Sequence, residues 1–102
     1  MEIQITEPEA KILLAVSSVS GGITIKNIPL QLRVLLNKGV DEHVAVELLT
    51  RLSEKKFVES FEVVSVPAWK ITEAGTHILK ETKEVFPHWF NKSTRPDQRL
   101  IA

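Results

Sequence analysis

Four apolar residues in the middle of the chain constrain the fold more than any other feature: they are Ala45, Leu48, Leu49 and Leu52. Their i, i+3, i+4, i+7 spacing places side chains on a single face of an α-helix. Asp41, just before them, is a residue type that caps helix starts. The pattern predicts an amphipathic helix, whose outward face would hold His43, Val46, Glu47, Thr50 and Glu54.

Capping signals predict one helix near the N-terminus and another after residue 72. Thr6 and Glu9 have the spacing of a capping box, in which each side chain binds the other residue's backbone N–H. Thr72 is followed by Glu73, an acidic residue suited to the first turn of a helix. These signals define the first and last helices of the predicted domain.

Shorter signals lie between these two helices. Pro29 restricts Ile28 to an extended conformation and predicts a helix that starts at the proline and ends at Gly39. No Asn-Gly or Asp-Gly pair marks a hairpin turn in the β-branched stretch that follows the leucine-rich helix. Strands are predicted over 23–25, 57–66 and 69–71. The predicted order is helix, strand, helix, helix, strand, strand, helix, which is an α+β fold with mainly helical content.

The composition is that of one soluble domain. The 102 residues include no cysteine, which excludes disulfides and thiolate metal sites. Lys plus Arg and Asp plus Glu are both 13, so any basic patch must come from an uneven distribution of charge. The first residues lack the basic and apolar segments of a signal peptide, and no apolar stretch is long enough to span a membrane. We therefore expect a cytoplasmic protein with no membrane partner.

Two stretches, residues 48–59 and residues 69–75, resemble winged helix-turn-helix regulators of the MarR-like and PadR-like kinds. Residues 48–59 are similar to the end of the recognition helix and the start of the wing in those families. Residues 69–75, Trp-Lys-Ile-Thr-Glu-Ala-Gly, are similar to the exit of the wing. The resemblance covers roughly residues 6–86. We therefore divide the chain into a winged-helix domain, 1–86, and an aromatic extension with a polar tail, 87–102.

The resemblance implies a DNA-binding protein, and more specifically a transcriptional regulator with double-stranded DNA as its partner. In such a fold the second helix crosses the DNA backbone and the third enters the major groove. Basic residues in or beside the second helix are the candidate phosphate contacts: Lys26, Arg33 and Lys38. On the third helix, the candidate DNA-contacting residues are His43, Glu47, Thr50 and Arg51.

The charges of the third helix and the wing favour an alternative function, a protein-protein interaction module. Residues 41–55 contain four acidic and two basic residues, and residues 57–69 contain two glutamates and no Lys or Arg. Carboxylates repel DNA phosphates, because DNA affinity comes largely from Lys and Arg. The candidate protein-binding residues are Glu42, Val46, Glu47, Glu59 and Glu62.

The aromatic extension is a candidate contact between two copies of the chain. Phe86, Trp89 and Phe90 surround Pro87, in a chain with only six aromatic residues. They could either pack back on the first helix or form a homodimer contact. Both possibilities remain open from the sequence, as does the choice between a last helix that ends at Pro87 and one that is kinked there.

The sequence provides no pattern of an enzyme. His43, His77 and His88 are too scattered to suggest metal ligands, and Gly21-Gly22 lacks the features of a phosphate-binding loop. No carboxylate pair with a supporting nucleophile is evident. We therefore expect no catalytic residues, no metal and no cofactor.

Overall fold

A computed structural model describes residues 4–95 and 98–101 of the chain. The described residues form four α-helices, one three-stranded antiparallel sheet and a short 3₁₀ helix. The elements are α1 (Glu7–Ser17), β1 (Ile23–Thr24), α2 (Asn27–Leu36), α3 (Glu42–Glu54), β2 (Val58–Val63), β3 (Val66–Ile71), α4 (Glu73–Val85) and the 3₁₀ helix (Pro87–Phe90). This order confirms the predicted order of helices and strands, and the α+β class.

The core forms where α1 packs against the other three helices and β3. The predicted apolar stripe of α3 lies in that core, and none of its four side chains is exposed to solvent. α1 contributes Ile12, Leu13 and Val16 from its own inner face, also fully buried. Burying large aliphatic side chains contributes on the order of 2 kcal/mol each, so this contact fixes the orientation of α3 on the domain.

The start of α1 is held by the predicted capping box. The Thr6 backbone N–H donates to Glu9 Oε1 at 2.8 Å, and the Glu9 N–H donates to Thr6 Oγ1 at 3.4 Å. Lys55, at the end of α3, also donates to Glu9 Oε1 at 3.0 Å. The Glu9 carboxylate therefore joins the first turn of α1 to the last turn of α3.

Strands β2 and β3 form a hairpin with a two-residue turn, which we call the wing. β3 is the central strand and pairs with β1 on its other edge. The hairpin turn consists of Val64 and Ser65, whose φ angles of 49° and 66° are both left-handed. This combination is a type I′ geometry, which matches the twist of the strands but is unfavourable for a β-branched residue such as valine. Trp69 anchors the wing in the core and is 7% exposed.

The Thr-x-x-Gly sequence after β3 has a steric and hydrogen-bonding explanation. Thr72 caps α4, because its Oγ1 accepts from the Gly75 N–H at 3.0 Å, and it donates to the Lys56 carbonyl at 2.7 Å. A Cβ on Gly75 would lie 2.0 Å from the Phe57 carbonyl oxygen. Only glycine lets α4 begin so close to the backbone of Phe57, which directly precedes β2.

Two local expectations for α2 are wrong. The helix starts at Asn27, so Ile28 is helical rather than extended. Pro29 is tolerated there because N–H groups in the first turn have no helical partner to lose. The helix also ends at Leu36, ahead of Gly39, with Asn37 in the left-handed conformation at φ 53°. Asparagine is the residue that most often substitutes for glycine at such helix ends.

The expected cap on α3 is also wrong in detail. Asp41 is the residue that precedes the helix, but its side chain makes no capping hydrogen bond. Its Oδ1 instead accepts from Arg99 Nη1 at 2.8 Å. Asp41 therefore forms an ion pair with Arg99, near the C-terminus, in place of the predicted capping hydrogen bond.

The C-terminal segment contacts the domain, although its composition predicted a polar tail. The Gly39 N–H donates to the Gln98 carbonyl at 2.9 Å, and the Leu100 N–H donates to the Gly39 carbonyl at 2.8 Å. Leu100 itself is buried. These contacts place residues 98–101 against the loop between α2 and α3. Residues 96, 97 and 102, which also belong to the predicted tail, lie outside the described residues.

Candidate nucleic-acid interface

Helix α3 presents one side to solvent along its length. It is 13 residues long, which corresponds to about 20 Å. α2 precedes it and the two are joined by a short turn, so the pair forms a helix-turn-helix. The predicted outward residues of α3 are exposed: His43, Val46, Glu47, Thr50 and Glu54. Glu42 is exposed as well, and Arg51 is half-buried.

Two charged residues on this face, Glu47 and Arg51, are paired within the helix. Arg51 Nη2 lies 2.9 Å from Glu47 Oε1, one helical turn away. Thr50 Oγ1 donates to the Val46 carbonyl of its own helix at 2.8 Å. The Glu47 carboxylate is therefore partly neutralised at the centre of the exposed face, and the charge of Arg51 is shared with it.

The wing contains a second ion pair. Glu59 on β2 stands directly opposite Lys70 on β3, and Lys70 Nζ lies 3.6 Å from Glu59 Oε2. Lys70 follows the segment 57–69, which has no Lys or Arg, by a single position, so the composition of that segment did not indicate a cation on the wing. Strand register was the missing information, since it decides which residues face each other across the hairpin.

A third carboxylate near α3 also has a cationic partner. Asp41 precedes the helix and pairs with Arg99, as described above. Three of the six carboxylates in the segments that seemed to oppose DNA thus lie within ion-pair distance of a cation: Asp41 with Arg99, Glu47 with Arg51, and Glu59 with Lys70. The electrostatic repulsion expected from the sequence is smaller than a count of acidic residues indicates.

The three predicted phosphate contacts have different surroundings. Lys26 is exposed just before α2. Arg33 is exposed on the last turns of α2, where its Nη1 donates to the Asn37 carbonyl at 3.4 Å. Lys38 is half-buried, and its Nζ donates to Gln98 Oε1 at 2.8 Å. Lys26 and Arg33 are thus exposed, whereas Lys38 is half-buried beside the C-terminal segment.

The candidate protein-binding surface overlaps the same face. Glu59 and Glu62 are exposed on the wing. Val63 and Val64 at the wing tip are 45% and 93% exposed, and Val46 on α3 is 40% exposed. The surface thus offers separate apolar side chains beside carboxylates.

The aromatic extension packs back on the domain. α4 ends at Val85, and Pro87 starts the 3₁₀ helix instead of kinking α4. The rings of Phe86 and Trp89 stack with centroids 4.2 Å apart, while Trp89 and Phe90 contact the hydrophobic core at its edge. The rings remain partly exposed, so the first of the two predicted roles is realised within one chain.

Other kinds of site find little support among the described residues. Within 4–95 and 98–101, no three His, Cys, Asp or Glu residues are grouped closely enough to hold a metal ion. No helix in that part of the chain is long and apolar enough to cross a membrane.

Comparison with known proteins identifies the architecture. No protein-family model matches the chain, and no curated protein sequence matches it. Among solved structures it is similar to F93 from STIV, a winged-helix DNA-binding protein, with a TM-score of 0.68 and 18% identity over 76% of this chain and 84% of that one. It is also similar to BpsR of Bordetella bronchiseptica, from a study of how 6-hydroxynicotinic acid regulates its DNA binding, with a TM-score of 0.68 and 13% identity.

The second match covers 84% of this chain but only 58% of the BpsR chain. At these identities the likeness concerns the fold. The element order, the helix-turn-helix and the hairpin that follows it all agree with that likeness. The chain has a winged-helix fold.

Proposed function

We propose that this protein binds double-stranded DNA through α3 and the wing, and that it acts as a transcriptional regulator in the cytoplasm. The observation that supports this most is the exposed outer face of α3, on which the central carboxylate of Glu47 is paired with Arg51. F93 is described as a DNA-binding protein and BpsR as one whose DNA binding is regulated, which adds support from proteins of the same fold. The role is binding, without catalysis, metal or cofactor.

In this proposal each element has a separate task. α3 lies in the major groove, where His43 and Thr50 reach base edges or phosphates. Arg51 leaves its ion pair with Glu47 and contacts the DNA instead. Lys26 and Arg33 contact phosphates beside α2, with Lys38 as a third contact. The exit sequence of the wing, with its Thr72 cap and close-packed Gly75, is the feature by which we assign the protein to MarR-like or PadR-like regulators.

We also propose that the protein dimerises through the aromatic extension. Residues 1–86 would be the DNA-binding unit, and the partly exposed rings of Phe86, Trp89 and Phe90 would meet those of a second copy. Replacing Trp89 and Phe90 together with alanine should give a monomer in sedimentation equilibrium. An unchanged mass in the folded variant would reject this contact.

A second candidate function is protein binding through the exposed carboxylates of α3 and the wing. It is favoured by the exposure of Val46, Val63 and Val64 beside the carboxylates of Glu42, Glu47, Glu59 and Glu62. Such a surface suits a partner with basic residues around an apolar centre. It predicts that Glu62→Lys weakens the partner complex, whereas the DNA proposal predicts equal or tighter DNA binding by this variant.

The direct test of DNA binding is fluorescence anisotropy with a random duplex. Three phosphate contacts predict that the affinity falls about fortyfold between about 50 mM and about 200 mM salt. Lys26→Glu should weaken binding about tenfold and flatten the salt dependence. The matched control is Lys80→Glu, the same charge change on the exposed side of α4, which should have little effect. No binding at low salt would overturn the proposal.

A further inference from the structure

An open cavity lies between the start of α1, the loop between α2 and α3, and the C-terminal segment. Its volume is about 250 Å³. Seven residues line it: Glu7, Pro8, Lys11, Lys38, Arg99, Leu100 and Ile101. None of the outward-facing residues of α3 or of the wing is among them, and Lys38 is the one lining residue that is also a proposed phosphate contact.

The charge of the lining is strongly uneven. Three cations, on Lys11, Lys38 and Arg99, face the cavity with a single carboxylate, that of Glu7. In a chain whose formal net charge is zero, this is a local concentration of positive charge. A concave site of this kind attracts anions, because its low-dielectric walls strengthen the field inside it.

Lys11 is the least expected member of this group. Its side chain is only 6% exposed, and it stands on α1 among the core residues of that helix. Lysine is seldom buried without a partner, and here its ammonium is paired with Glu7. An ammonium has three N–H donors, so this pair leaves capacity for a second acceptor on the cavity side.

Lys38 is in an unfavourable electrostatic position. Burial lowers the pKa of Lys38, and the positive charge of Lys11 lowers it further, although Glu7 acts in the opposite direction. An anion between the two ammonium groups would remove this repulsion. Anion binding is therefore more favourable at this site than at an isolated surface lysine, because it also relieves the repulsion between Lys11 and Lys38.

The remaining wall of the cavity is aliphatic. Pro8, Leu100 and Ile101 contribute apolar surface, and Ile101 is 75% exposed. Apolar groups beside a few convergent polar ones are the usual composition of a small-molecule site. The volume is slightly below the usual range of about 300–1,000 Å³ for ligand pockets, which restricts the occupant to a small molecule.

We propose that this cavity binds a small aliphatic carboxylate, with its carboxylate group held by Lys11, Lys38 and Arg99 and its hydrocarbon part against Pro8, Leu100 and Ile101. Arginine binds carboxylates through two parallel hydrogen bonds, and Arg99 is exposed enough to turn toward a ligand.

Occupation of the site would affect α3 through one contact. Arg99 pairs with Asp41, the residue that precedes α3, and a ligand that engages Arg99 competes for that pair. The Asp41 carboxylate would then lie near the proposed DNA phosphates without its cationic partner. This consequence rests on the proposed DNA-binding function, but ligand binding itself does not.

The test uses the full chain without DNA, with hexanoate as the probe and ¹H–¹⁵N NMR as the measurement. Hexanoate should cause saturable shifts of the backbone amides at Lys11, Lys38, Arg99 and Leu100. Lys38→Gln should weaken hexanoate binding about tenfold, because a charge-assisted hydrogen bond is lost. Lys80→Gln is the matched control, since it removes the same charge on the exposed side of α4 and should leave binding unchanged.

Two further probes separate the parts of the proposal. Neutral 1-hexanol should not bind, because it lacks the charge, and equal binding by hexanol would overturn the role of the cations. Inorganic phosphate should bind more weakly than hexanoate, and tighter binding of phosphate would overturn the role of the aliphatic wall. Absence of saturable hexanoate shifts in the folded protein would overturn the site as a whole, whatever the result of the DNA assay.

Discussion

Glu9 is a buried carboxylate on which two helices depend. Its side chain is 1% exposed and accepts from the Thr6 backbone and from Lys55. Burial alone would raise the pKa of Glu9, but the Thr6 N–H and the Lys55 ammonium together lower it below its ordinary value. A carboxylate with a lowered pKa stabilises the folded state above the unfolded-state pKa, and that contribution is lost as the pH falls through the folded-state value.

We predict that Glu9→Gln lowers the free energy of unfolding by about 2 kcal/mol near neutral pH, because charge-assisted hydrogen bonds to Lys55 and Thr6 are weakened. The difference between wild type and variant should shrink as the pH falls below about 4.5, the ordinary value for glutamate. Urea unfolding at several pH values measures both effects. The control is Glu84→Gln, an exposed residue of α4. A difference that stays constant with pH would contradict this role.

Gly75 shows why one residue of the exit sequence matters sterically. A Cβ there would lie 2.0 Å from the Phe57 carbonyl oxygen, a backbone atom that cannot turn aside. We predict that Gly75→Ala costs about 3 kcal/mol of stability, despite the better helix propensity of alanine. Gly21→Ala is the comparison. The φ of 84° at Gly21 is unfavourable for alanine, but no atom lies within 4 Å of the added Cβ. Urea unfolding should show the larger loss at Gly75, and equal losses would contradict the steric explanation.

Among the elements, the helices were the most predictable and the wing turn the least. The α3 stripe and the Thr6–Glu9 capping box are local patterns, and both are confirmed. The turn at Val64-Ser65 has left-handed φ angles with no glycine or asparagine to signal them. Its geometry is imposed by pairing of β2 with β3, which a local pattern cannot indicate.

This strain leads to a prediction for the wing. Replacing Val64 by Asn and Ser65 by Gly supplies the residues that a type I′ turn prefers. The free energy of unfolding should rise by about 1 kcal/mol. Val63→Asn, in the adjacent strand position with ordinary backbone, serves as the control and should not stabilise the protein. Thermal unfolding compares the variants, and an unchanged or lower stability of the double variant would contradict the assigned strain.

The ion pair on α3 gives a second prediction at this scale. Glu47→Gln frees Arg51 and removes one negative charge from the proposed DNA face. The affinity for a random duplex should rise about three- to tenfold at low salt, with a steeper salt dependence. Exposed ion pairs of this kind contribute only about 0.5 kcal/mol to stability, so the fold should be unaffected. Glu84→Gln on α4 should leave the affinity unchanged. Weaker binding by Glu47→Gln would contradict a phosphate-facing Arg51.

At the scale of the whole molecule, tertiary contacts determine what the sequence could not predict. The Asp41–Arg99 pair joins residues far apart in the chain, and it replaced a local cap. The docking of Leu100 beside Gly39 placed Lys38 and Arg99 around one cavity. Sequence spacing predicted the helices and the exposed face of α3, because those depend on near neighbours. The ion pairs Asp41–Arg99 and Glu59–Lys70 depend on the assembled fold, whereas Glu47 and Arg51 are near neighbours on one helix.

The central claim is that α3 and the wing form a DNA-binding face, and NMR titration of the protein with a random duplex at low salt tests it most directly. Amide shifts should concentrate at the outward residues of α3, from Glu42 to Thr50, and at the wing tip near Val64. The exposed side of α4, at Lys80 and Glu84, should change little and serves as the internal control. Shifts confined to α4 or to the C-terminal segment, or no shifts at all, would contradict the claim.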